Sequence, residues 1–197
     1  MPVYMVLQAF SWHELGDRYS ERGEAYPTFA DSRFMAYDVI ARGASGILYW
    51  GSHYLQSEAC REAIYAVISE LAALQPFLTA PEAPGTRLHV IEGLPEREPR
   101  VVYFARAIGD EWLVVLVNED DERRMGVVVE GLDALNGRTL CRLYTDHSAV
   151  VARGELITRM QPRAVHVYAT SRDWETPRRD GRDYGMESPP EQEDQEE

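Results

Sequence analysis

The run VYMVLQAF, from Val3 to Phe10, is apolar or aromatic at every position but Gln8. A strand with one wet face carries polar residues at every second position. A run without that alternation belongs in a sheet covered on both faces, as parallel sheets are. A polar stretch with Gly16, Asp17, Ser20 and Gly23 follows, and then YPTFADSRFMAYDVIARG. Thr28 and Asp31 have the spacing of a capping box, Phe34, Tyr37 and Ile40 recur at helical spacing, and Gly43 stands where a glycine ends a helix. ASGILYW, from Ala44 to Trp50, predicts the next buried strand. A second helix is predicted from about Ser57 to Gln75, with Cys60, Ile64, Val67, Leu71 and Leu74 as its apolar stripe and Pro76 as its stop. Strand, helix, strand, helix is the order of a right-handed parallel crossover. Two strands and two helices are nevertheless too little material for a stable parallel sheet. Residues 1–78 are therefore expected either to end a longer domain, the preferred reading, or to pair with another chain.

The remainder has a different pattern. TAPEAPG, from Thr79 to Gly85, reads as a linker. Within residues 86–170, RVVYFARAIGDEWLVVLVNED predicts two strands around a Gly109-Asp110 turn. MGVVVEGL, GRTLCRLYTD, GELITRM and RAVHVYAT are further strand candidates, and Asn136-Gly137 marks a turn. In RAVHVYAT, Val165 and Val167 alternate with His166 and Tyr168, as on a half-buried strand. Short strands with regular turns and no helical period predict an antiparallel β-sandwich. The segment 171–197 holds ten acidic residues against four arginines and little apolar content, so it reads as a disordered acidic tail. The expected fold class is α/β plus all-β.

Composition narrows the function. A formal net charge of −13 disfavours nucleic acid and anionic membrane as partners. No stretch is long and apolar enough for a membrane span. Lysine is absent, which excludes lysine Schiff-base chemistry. Cys60 and Cys141 are too far apart for a zinc motif or a disulfide framework and read as free thiols. No Gly-rich phosphate loop, nucleophile elbow or metalloprotease motif occurs, the histidines have no metal-ligand spacing, and no cofactor is expected. Cellular location is not legible.

Three segments resemble the end of a (β/α)8-barrel glycoside hydrolase and the antiparallel β-domain appended to it. PVYMVLQAFSW is similar to strand seven of such barrels, and YPTFADSRFMAYDVIARGASGILYWG to the following helix and strand eight. WLVVLVNED with MQPRAVHVYA is similar to the β-domain of amylase-like and galactosidase-like enzymes. The resemblance implies a partial (β/α)8 barrel, its final two β/α units, followed by an antiparallel β-sandwich. It implies carbohydrate as partner. The missing barrel strands would come from upstream sequence or another chain.

In such barrels function sits at the C-terminal strand ends. Those ends are Gln8 to Trp12 and Tyr49 to His53. Trp50 corresponds to the sugar-facing tryptophan often found at the end of strand eight, and is read as a stacking platform with core packing as the alternative. Trp12 reads equally as platform or packing, and Tyr49 is grouped with Trp50. Barrel glycosidases commonly carry their two carboxyl groups at strands four and seven. Strand four is not present, and Gln8 stands where the second acid is expected. A carboxamide only donates and accepts hydrogen bonds. Glu14, six residues on, is either a catalytic carboxylate or a solvated loop residue. His53 is either a hydroxyl contact or a surface histidine. Arg33, near a helix start, needs an anion: a structural carboxylate such as Asp31 or Glu14, or a ligand. The chain is thus expected to be part of a carbohydrate-active protein, inactive alone. A non-catalytic carbohydrate-binding or accessory protein and a structural interaction module are the rivals.

Overall fold

A computed structural model describes residues 1–16, 25–51, 55–92 and 100–176. The first half is an α/β unit. Strand β1 (Tyr4–Gln8) runs parallel to β2 (Gly46–Trp50), with Tyr4 opposite Gly46 and Gln8 opposite Trp50. Between them lie a 3-10 turn (Trp12–Leu15) and helix α1 (Phe29–Ala41). The predicted capping box starts α1: Thr28 Oγ1 accepts from Asp31 N at 3.1 Å, and the Asp31 carboxylate accepts from Thr28 N at 3.1 Å. Helix α2 (Glu58–Ala73) begins on Ser57, whose hydroxyl accepts from Cys60 N at 3.2 Å. Pro76 does more than stop it. It occupies the first turn of a short helix, α3 (Gln75–Thr79), where its missing N–H costs nothing.

Both long helices cover one face of the β1–β2 pair. Leu7, Ile47 and Tyr49 pack there against Ala36, Val39, Ala63 and Val67. The opposite face is bare: Tyr4, Val6, Leu48 and Trp50 are 50–62% exposed. Burial on both faces, expected from the apolar run, is thus met on one face among the described residues.

The second half consists of two antiparallel sheets. Its strands are β3 (Arg87–Glu92), β4 (Val101–Ile108), β5 (Glu111–Asn118), β6 (Met125–Glu130), β7 (Thr139–Arg142), β8 (Ser148–Val150), β9 (Leu156–Met160) and β10 (Val165–Ala169). One sheet has the order β4-β5-β10-β7-β8, the other β3-β6-β9. Gly109, at φ 59°, turns β4 into β5 as predicted. Leu116, Met125, Val127, Leu140, Leu156 and Met160 form the core between the sheets. The outer face of the five-stranded sheet is also covered, by Tyr37 of α1, Leu74, Phe77 of α3 and Leu143. Hence Leu113 through Asn118 of β5 are all buried. For the same reason His166, Val167 and Tyr168 of β10 are all buried, which corrects the reading of RAVHVYAT as half-buried.

The halves share this second core. The stretch read as a linker lies against β4: Ala83 N donates to Ala105 O at 2.8 Å, and Arg106 Nη1 donates to the carbonyls of Phe77, Leu78 and Ala80. Of the segment read as tail, residues 171–176 carry a 3-10 turn (Arg172–Trp174). Trp174 packs edge-on against Phe77, with ring centres 4.6 Å apart, and its Nε1 donates to Glu111 at 3.2 Å. Residues 177–197 lie outside the described residues.

Candidate functional site

The parallel register brings the C-terminal ends of β1 and β2 to the same edge. Ala9 N donates to Trp50 O at 3.0 Å, so pairing continues one residue beyond Gln8. The chain then turns into Phe10, which is buried. Its ring meets Trp12 edge-on at 5.0 Å and 75°, and Trp50 at 4.8 Å and 88°. Edge-to-face contacts of this kind suit the opposed charges of ring edge and ring face. Gly51 makes the packing possible. Its φ is 88°, and a Cβ there would stand 2.7 Å from the Phe10 ring. Phe10 thereby fixes two indoles that stay 40% (Trp12) and 50% (Trp50) exposed. Sequence reasoning missed Phe10, although an aromatic two residues before Trp12 at a strand end was the available signal.

Gln8 points the same way as Trp50, to which it is paired. Its Nε2 donates to Phe10 O at 2.8 Å, which leaves the amide oxygen without a partner among the described residues. Gln8, Trp12 and Trp50 therefore come together. The cluster is a flat, half-exposed aromatic surface with a hydrogen-bond acceptor beside it.

The other candidates do not join them. Tyr49 precedes Trp50 on one strand, so period-two alternation sends it to the helix side. There it packs among Ala9, Cys60 and Ile64, its hydroxyl buried and without a hydrogen bond. Burial, with the nearby Cys60 thiol, pushes that hydroxyl up to about 12. Grouping Tyr49 with Trp50 is thus corrected. Arg33 is corrected as well. Its anion is Glu70 of α2, at 2.8 Å from Nε, with the two side chains 8% and 5% exposed. Its Nη1 donates to Val165 O at 3.0 Å, and Tyr37 OH donates to Glu70 at 3.1 Å. Burial opposes the Arg33 charge, but Glu70, helped by Tyr37, outweighs it and raises the guanidinium pKa. Arg33 thus ties α1 and α2 to the β half.

Glu14 is held as an acceptor. One oxygen takes the Ser11 N–H at 3.3 Å and the other takes the Tyr26 hydroxyl. Ser11 Oγ accepts from Ala25 N at 2.9 Å, so these bonds close the loop between the 3-10 turn and α1. Glu14 thus sits in a local network rather than free in solvent. His53 lies outside the described residues.

No protein-family model and no curated protein matches the chain. Solved structures do. An α-amylase of Anoxybacillus is 14% identical, with a TM-score of 0.53, over 85% of this chain and 38% of its own. The α-amylase of Geobacillus thermoleovorans, solved with acarbose, is 12% identical, with a TM-score of 0.52, over 85% of this chain and 38% of its own. The likeness is one of fold, and the chain spans well under half the length of either enzyme.

Proposed function

We propose that the chain is the C-terminal portion of a glycoside-hydrolase-like, carbohydrate-active protein. Residues 1–78 would be the last two units of a (β/α)8 barrel and residues 86–170 the β-domain that follows. The observation that carries this reading is the bare face of β1–β2, an apolar strip of Tyr4, Val6, Leu48 and Trp50 with, among the described residues, an unpaired strand edge on either side. In a closed barrel that face is the packed interior and such edges are paired. The aromatic cluster stands at the C-terminal strand ends, where barrels bind their ligands. Trp50 and Trp12 would stack on the apolar face of a sugar ring, and the Gln8 amide oxygen would accept from a hydroxyl. The amylase fold likeness makes maltooligosaccharides the first ligands to test.

Glycoside hydrolysis needs two carboxyl groups, about 5–5.5 Å apart for retention or about 6.5–9.5 Å for inversion. Gln8 supplies none, and both Glu14 oxygens are engaged. The acids of a hydrolytic protein would therefore come from the missing strands, and the chain alone would release no sugar. Gln8 at the place of an acid favours one second reading, a non-catalytic carbohydrate-binding or accessory protein.

The test is to join the reading frame upstream of Met1 to this chain and titrate the product with maltooligosaccharides while assaying reducing ends. Binding that falls about tenfold in Trp50→Ala, roughly 1.4 kcal/mol, supports the site. Release of reducing ends separates hydrolase from accessory protein. An in-frame stop directly before Met1 would sink the fragment reading and leave the bare face to another chain.

A further inference from the structure

The interior of the β half contains a polar inset that the aromatic cluster does not use. Alternation places Leu140 and Arg142 of β7, His166 and Tyr168 of β10, and Leu156, Thr158 and Met160 of β9 on the inward faces. Arg142, His166 and Thr158 thus stand in line with core leucine and methionine. Here residues of both sheets line an open cleft of about 660 Å³. That volume lies within the range of small-molecule sites.

Arg142 is the unusual group. It is 9% exposed, and both of its partners are neutral: Nε donates to Thr145 Oγ1 at 3.2 Å and Nη1 to His166 Nε2 at 3.2 Å. Its Nη2 has no partner, and no carboxylate pairs with it, among the described residues. The chain's other buried arginine pair is built differently, with Glu70 directly on Arg33. Because a guanidinium only donates, His166 Nε2 must accept. The imidazole proton then sits on Nδ1, facing Thr158 Oγ1 at 3.4 Å, and Thr158 Oγ1 lies 2.9 Å from Tyr168 OH. Burial and the Arg142 charge push His166 down to about 3, so at neutral pH it faces Arg142 as an uncharged acceptor.

In the rest of the lining Arg124 adds a positive charge. Arg124 gives its Nε to the neutral Gln161 at 2.9 Å, and Arg159 is matched by Glu92 at 2.8 Å. His147 also borders the cavity. A cationic crevice has thus formed in a chain whose formal net charge is −13. A buried charge without a counterion is costly, and an oxyanion is what a guanidinium fork fits.

We propose that the crevice between β7, β9 and β10 binds a small organic oxyanion, a carboxylate or phosphate monoester of about monosaccharide size, with Arg142 as its anchor and Arg124 at its rim. Isothermal titration of the full chain with glucuronate, glucose 6-phosphate and glucose tests it. At least one acid should bind while glucose does not. Preference for glucuronate assigns a carboxylate ligand, and preference for glucose 6-phosphate a phosphate. Arg142→Gln should weaken that binding at least tenfold, and Arg124→Gln about threefold. Should Arg142→Gln fail to fold, the exposed rim variant Arg124→Gln decides. Absence of heat with both acids, equal binding of glucose, or unchanged affinity in the folded variants overturns the proposal.

Discussion

The strands VYMVLQ and WLVVLV are alike in composition, yet β5 and the β1–β2 pair end in different surroundings. β5 lies in the middle of its half, with the three-stranded sheet on one face and α1 and α3 on the other, and Leu113 to Val117 are buried throughout. The β1–β2 pair has helices on one face only, and Tyr4, Val6, Leu48 and Trp50 face outward. A continuous apolar strand therefore reports how many covering layers it requires, not how many it has. For β5 both layers are within the chain. For β1–β2 one is lacking among the described residues, and that deficit carries the functional reading.

Glu70→Ala leaves the Arg33 guanidinium buried and unpaired at the seam between the halves, and should cost about 3–5 kcal/mol in urea unfolding. A cost near zero would mean that the seam is wet and the halves are independent. Leu116→Ala, inside the doubly covered sheet, should cost about 2–5 kcal/mol.

A pH experiment sharpens the same contrast. Burial, then the Arg142 charge, holds folded His166 near 3, whereas an unfolded histidine titrates near about 6.5. Between those values the unfolded chain binds the extra proton. Stability present above about pH 6.5 is therefore lost as pH falls toward 3. The urea midpoint of the native chain should drop more between pH 7 and 4.5 than that of His166→Gln. Equal drops would show that the inset admits a proton. The smallest effect is expected at the bare face. Leu48→Ala, in the isolated chain, should change stability by less than about 0.5 kcal/mol. A loss as large as that of Leu116→Ala would mean the face is covered after all.

Much of this was legible residue by residue. The Thr28–Asp31 capping box, the Gly109-Asp110 turn and the place of Trp50 at a strand end follow from local pattern, and each is present. The opposite orientations of Tyr49 and Trp50 were legible too, since adjacent strand residues cannot share a face. Strands β3 and β8 lacked a distinct signal because each is short or lies at a sheet edge. Phe10 had a weak signal in its place beside Trp12, but its contact with Trp50, from another strand, shows only in the fold.

What depends on near neighbours along the chain was readable from the residues alone: helix caps, turns, strand periods and the presence of two unlike halves. Only the tertiary structure decided which carboxylate answers Arg33, that the supposed linker and residues 171–176 are packed, and that Arg142 and His166 face inward together. Hydrogen-bonded turns and side-chain periods are set over a few residues. Burial and charge pairing depend instead on elements far apart in sequence, such as Arg33 and Glu70 or β7 and β10, and on which of their faces another layer covers.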